Sequence, residues 1–184
     1  MKKGTKIFLL VLSFVLVIGV AIGTSFAFLF DRTGTIENVF TVGNIEIELT
    51  ETNNTYKLVA CAEISKDPKV IVKERSEDCW LFIKIDESDG LSEVLKYKRA
   101  DGWEIYPEYS GQGSLWYRKV SYAETAQEFY VLKDNIVTVE DVTTKKLQSV
   151  QNPTLTFTAY ACQQLSVNTV QEAWAEVSDL SNYS

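Results

Sequence analysis

The sequence predicts an all-β protein: a jelly-roll-like β-sandwich with short helices, preceded by an N-terminal signal or transmembrane helix. Three observations predict it. Apolar and polar residues alternate at period two in several short runs, the pattern of strands with one buried face. Turn residues separate those runs, as at Asp67-Pro68, Ser88-Asp89-Gly90 and Gly111-Gln112-Gly113. One long apolar run stands apart at the N-terminus.

That N-terminal run comes first. Lys2, Lys3 and Lys6 precede IFLLVLSFVLVIGVAIG, and no charge follows until Asp31. A basic start and an apolar stretch read as a secretory signal. Ser25-Phe26-Ala27 puts small residues at positions −3 and −1 of a cleavage site after Ala27. The uncharged run from Ile7 to Phe30 is also long enough to cross roughly 30 Å of hydrocarbon as a retained anchor. Either way the lysines stay inside and the remainder is exported. The expected division is therefore residues 1–27 as signal peptide or anchor, 28–40 as an N-terminal leader, and 41–184 as the sandwich.

The strands follow in order. Asn38 to Leu49 alternates Ile45, Ile47 and Leu49 against Glu46 and Glu48, and reads as a half-buried strand. Tyr56 to Ile64 alternates less cleanly and reads as another. Lys69 to Glu74 and Cys79 to Asp86 come next. The latter carries large apolar residues on both faces near its start, which places it centrally, between covering layers. Leu91 to Tyr97 is a short helix or an irregular crossing. Gly102 to Tyr106, Ser114 to Tyr122 and Gln127 to Leu132 are aromatic-rich and strand-like. Asn135 to Glu140 is a further short strand, and Asp141 to Val150 is ambiguous. Thr154 to Cys162 puts Leu155, Phe157, Ala159 and Ala161 on one face. Asn168 is placed to cap a last helix with Val170, Ala173, Trp174 and Val177 as its apolar stripe.

Composition narrows the chemistry. The chain has 184 residues, 18 Lys+Arg, 25 Asp+Glu and no histidine, for a formal charge of −7. Loss of residues 1–27 removes lysines and no acid, so the exported part is more acidic still. Such a balance lacks the footprint of a nucleic-acid binder. Without His there is no Ser-His-Asp or Cys-His catalysis and no His-ligated zinc. No catalytic residue, metal site or cofactor is expected. Asp86 to Gly90 is an acidic turn without the spaced acids of known calcium loops, and reads as a solvated turn. Four Trp and nine Tyr fit either a sugar-binding face or the core and corners of a sandwich. Cys61, Cys79 and Cys162 are odd in number. Export permits one disulfide, with Cys79–Cys162 the first pair to test; the alternative is three buried thiols acting as small hydrophobes.

Several blocks in combination resemble the TasA/camelysin family of exported Gram-positive proteins. They are the signal ending Gly23-Thr24-Ser25-Phe26-Ala27, then Phe28-Leu29-Phe30-Asp31, then Phe40-Thr41-Val42-Gly43-Asn44-Ile45-Glu46-Ile47. Lys66-Asp67-Pro68, Glu77-Asp78-Cys79-Trp80-Leu81-Phe82 and Ala159-Tyr160-Ala161-Cys162-Gln163 are similar to later blocks, while residues 87–150 match only loosely. The resemblance implies processing by a SipW-type signal peptidase that reads Ser25 and Ala27. It implies a jelly roll, and a secreted, non-enzymatic role at the cell surface or in the biofilm matrix. It also implies fibres built from copies of the chain or related matrix proteins, in which Phe28 to Val39 completes a sheet of the next subunit. Phe28, Phe30 and Phe40 would be its anchors. The membrane would be touched only through the N-terminal segment. An alternative is a membrane-anchored surface module that caps or anchors fibres. Camelysin-type proteolysis is not carried over, because the chain has no histidine.

Overall fold

Alternation in this sequence builds two facing layers, with a helix on the outer side of one. The computed structural model describes residues 39–180, other than 43 and 112. Ser25, Ala27, Phe28 and Phe30 lie outside the described residues. So does the apolar run from Ile7 to Phe30; among the described residues no helix is long and apolar enough to cross a membrane.

The larger layer is a five-stranded sheet. Its order is β1 (Val39–Val42), β11 (Leu155–Gln163), β5 (Cys79–Glu87), β8 (Ser114–Val120) and β7 (Glu104–Ile105). β11 and β5 run antiparallel over their full length, from Leu155↔Glu87 to Gln163↔Cys79. β8 pairs antiparallel with β5 on its other side. The central position expected for Cys79 to Asp86 is thus the one observed. β1 differs: it pairs with β11 in parallel, from Val39↔Ala159 to Val42↔Cys162.

The second layer comprises two three-stranded sheets that share continuous chain segments. One has the order β2 (Ile47–Thr50), β4 (Lys69–Val72), β9 (Gln127–Tyr130). The other has the order β3 (Glu63–Ser65), β10 (Leu132–Val139), β6 (Leu95–Arg99). Only three residues separate β3 from β4, and only Val131 separates β9 from β10. Val131 donates its N–H to the Pro68 carbonyl, so the two ladders meet at that point. In β10 the register with β6 shifts between Leu132 and Val137, where Asp134 and Asn135 take positive φ. A bulge there bends the strand.

Period-two alternation sorts the side chains of the large sheet. Cys79, Leu81, Ile83 and Ile85 of β5 join Leu155, Phe157, Ala159 and Ala161 of β11 in the main core. Ile47, Leu49, Val70, Val72, Val137 and Val139 meet them from the second layer. Trp80, Phe82, Tyr160 and Cys162 point the other way. Helix α2 (Val170–Leu180) covers them with Ala173 and Val177. Burial at roughly 25 cal/mol per Å² of apolar surface makes both interfaces stabilising.

Three sequence expectations are corrected and one, at Leu91 to Tyr97, is narrowed. Asn38 to Leu49 is not one strand: β1 and β2 belong to different sheets. The alternation itself holds, with Ile45, Ile47 and Leu49 buried and Glu46 and Glu48 exposed. Tyr56 to Ile64 is mostly irregular, and only Glu63–Ser65 forms a strand. Leu91 to Tyr97 is a 3-10 turn over Leu91–Glu93 leading straight into β6. The last helix is capped at Thr169 rather than Asn168: Thr169 Oγ1 accepts from the Glu172 N–H, and Glu172 Oε2 accepts from the N–H groups of Asn168 and Thr169. This is a reciprocal capping box. The ambiguous segment at 141–150 contains α1 (Thr144–Ser149), whose Thr143 side chain accepts from Lys146 N–H.

Candidate functional site

The outer margin of the large sheet is where the candidate N-terminal segment meets the fold. β1 is its edge strand among the described residues, and it is four residues long. It continues directly from the 28–38 segment in sequence. Phe40 stands opposite Tyr160 in the register. β11, its only strand partner among the described residues, is buried along most of its length. Parallel ladders are slightly weaker per residue than antiparallel ones, so a four-residue parallel edge is a weakly held element beside a strongly held one.

The two buried cysteines are not joined. Cys79 is directly opposite Gln163, and Cys162 is opposite Trp80. Adjacent positions on a strand face opposite sides of the sheet. Cys79 therefore lies in the main core and Cys162 under α2, and both are free thiols. The pair that export left first to test is therefore not joined, and the alternative of buried thiols holds for these two. The third-thiol expectation also changes: Cys61 is exposed, at a residue with φ of 60°. Burial pushes the Cys79 thiol up to about 12. Asp141, accepting a hydrogen bond from it, holds the Cys61 thiol above its usual range.

The aromatic residues do not form an open face. Trp80, Trp103 and Trp116 are buried, and Trp174 packs edge-on to Tyr109 and Tyr160 with centroids 5.9 and 5.3 Å away. The acidic turn is occupied by its own neighbours: Lys84 Nζ lies 2.9 Å from Asp86 Oδ2, and the Tyr97 hydroxyl donates to Glu87. Among the described residues no group of three or more Cys, Asp and Glu is placed to hold a metal ion.

One polar cluster escaped sequence reasoning. Lys66 Nζ lies 2.6 Å from Glu51 Oε1, and both side chains are almost wholly buried, at 4% and 2% exposure. The Tyr56 hydroxyl donates to the same Glu51 oxygen at 2.8 Å. Tyr56 and Phe157 present ring faces to the ammonium at 4.8 and 5.3 Å. Lys66 sits in a polar turn, Ser65-Lys66-Asp67-Pro68, so no local pattern marks it as buried. Its burial comes from the contact between β3–β4 and the loop after β2. No family model matches this chain, and no curated protein matches it.

Proposed function

We propose that the chain is a secreted structural protein, a TasA-like subunit of a cell-surface or biofilm-matrix fibre, with no catalytic role. The fold in its finer form would be a jelly roll, and residues 1–27 would be removed after Ala27 by a SipW-type signal peptidase that reads Ser25 and Ala27. The observation that carries this reading is the short parallel edge strand β1 beside β11. It joins the candidate donor segment, Phe28 to Val39, to the margin of the main sheet. Edge ladders recruit strands from other chains through main-chain hydrogen bonds, with alternate side chains giving specificity. A donor from a second copy at that margin makes a head-to-tail contact, which is heterologous and does not close, so copies add into filaments. Phe28 and Phe30 fall on one side of such a strand and serve as anchors, with Phe40 at its root.

Edman sequencing of exported material, with negative-stain electron microscopy of the same sample, tests this. A start at Phe28 and filaments are expected. Deletion of Phe28 to Thr35 is expected to abolish polymerisation. A cleaved protein that stays monomeric at high concentration, or filaments unchanged by the deletion, overturns the fibre reading. Membrane-retained full-length chain favours the anchored accessory module instead, a reading prompted by the length of the uncharged run from Ile7 to Phe30.

A further inference from the structure

We propose that Lys66 and Glu51 condense into an intramolecular amide, a covalent bolt between the end of β2 and the β3–β4 segment. The two groups are already in register for it. Thr50 pairs with Lys69 at the end of the β2–β4 ladder. Just beyond, Thr52 donates its N–H and hydroxyl to Asp67, at 3.1 and 2.6 Å. These contacts on both sides fix the two chains, and Lys66 Nζ meets Glu51 Oε1 at 2.6 Å between them. The Lys66 N–H is held by the Asn135 carbonyl at 2.8 Å, so the lysine backbone is fixed from β10 as well.

The surroundings favour the neutral amine that the reaction needs. A buried ion pair bears a desolvation cost that its attraction offsets only in part. Burial pulls the Lys66 ammonium below the usual lysine range, against the opposing pull of Glu51. Moving one proton from ammonium to carboxylate leaves an amine facing a carboxylic acid. The Nζ lone pair attacks Glu51 Cδ, and the C–N bond forms. A C–O bond of the carboxyl group breaks, and its hydroxyl leaves as water with a proton released by Nζ. No oxidant, reductant or cofactor enters the balance.

Tyr56 is the catalytic group in this step. Its hydroxyl lies 2.8 Å from Glu51 Oε1, where negative charge builds as the carbonyl is attacked, and its one proton is shared between that oxygen and the Asn53 carbonyl. Burial first, and the Glu51 hydrogen bond second, keep Tyr56 protonated and hence a donor. A cavity of about 30 Å³ adjoins Tyr56 and Lys66, lined otherwise by apolar side chains including Leu58, Ile64 and Leu155. It has room for one departing water and offers that water few polar partners.

The consequence is mechanical. The chain runs from β1 into β2 and then to Glu51. Tension on the N-terminal side peels β1 and then β2, and the amide stops the peeling at residue 51. The bond itself does not depend on the fibre reading, and its test is independent of polymerisation.

Intact mass spectrometry of the purified, folded full chain decides it. The mass is expected to fall short of the sequence mass by one water. Trypsin should then give a branched species joining residues 33–57 to 58–69 in place of the free 58–66 peptide. Lys66→Arg keeps the charge but cannot form the amide, and its mass should equal its own sequence mass. Tyr56→Phe should slow the appearance of the lighter species. A folded wild-type chain whose mass stays at the sequence value after prolonged incubation overturns the proposal. So does a water loss that maps elsewhere or survives in Lys66→Arg.

Discussion

Cys79 stands opposite Gln163 across the β5–β11 ladder, one register position away from Cys162. The two thiols are sequence-distant, buried and close in the sheet, yet they face opposite sides of it. A period of two makes one position of offset equivalent to a whole sheet thickness.

A thiol prediction follows from that placement. Native protein should expose one fast-reacting thiol, Cys61, and all three after unfolding, by thiol titration. Mild oxidation should give no Cys79–Cys162 link, read by mass after digestion. Asp141→Asn removes the carboxylate charge beside Cys61 and leaves only a weaker amide acceptor for its proton. Its alkylation rate near pH 8 should rise by roughly threefold, because the thiolate is the reactive form.

The helix–sheet interface gives a stability contrast. Phe82 is fully buried and meets Trp174 at 5.4 Å, whereas Leu165 is 85% exposed. Phe82→Ala should cost about 3–5 kcal/mol in denaturant unfolding. Leu165→Ala should stay within about 0.5 kcal/mol.

Gly113 is held by backbone geometry. Its φ is +82°, and a Cβ there would lie 2.0 Å from the Ile85 carbonyl oxygen. Gly113→Ala should lower stability by more than about 1 kcal/mol and loosen the start of β8 against β5, seen as loss of amide-exchange protection there.

Alkaline pH should unfold the chain through its tyrosines. Burial first, then the Glu87 hydrogen bond, hold the Tyr97 hydroxyl above its ordinary range; Tyr56 is raised by burial and Glu51. In the unfolded chain these groups ionise near pH 10. Above that value the unfolded state binds fewer protons than the folded one, so stability present below pH 10 falls as pH rises. Ultraviolet titration should show these tyrosines ionising together with unfolding. Tyr97→Phe should cost about 1 kcal/mol at neutral pH and make the alkaline decline shallower.

Several elements were legible because their signal is local. Cys79 to Asp86 shows apolar residues on both faces, and β5 has neighbours on both sides and covering on both faces. Thr154 to Cys162 shows the same inward face that β11 presents. The stripe at 170, 173, 174 and 177 needs only helical spacing, and α2 buries it. Other features have no local signal. Nothing between Asn38 and Leu49 announces a change of sheet, because alternation reports which side is buried and not which strand lies alongside. Tyr56 to Ile64 has strand-like composition, yet most of it finds no ladder partner; β-propensity reflects context more than backbone preference.

By itself, then, the sequence determined the apolar N-terminal run, the all-β class and the inward face of each main strand. Those follow from side-chain order along a pleated chain. Tertiary structure decided the pairings: β1 parallel to β11, Cys79 opposite Gln163, and Lys66 against Glu51 beneath Tyr56. Pairing joins residues far apart in sequence, and its register is set by how two layers fill a common core. That quantity belongs to the whole packed sheet and is carried by no single segment of it.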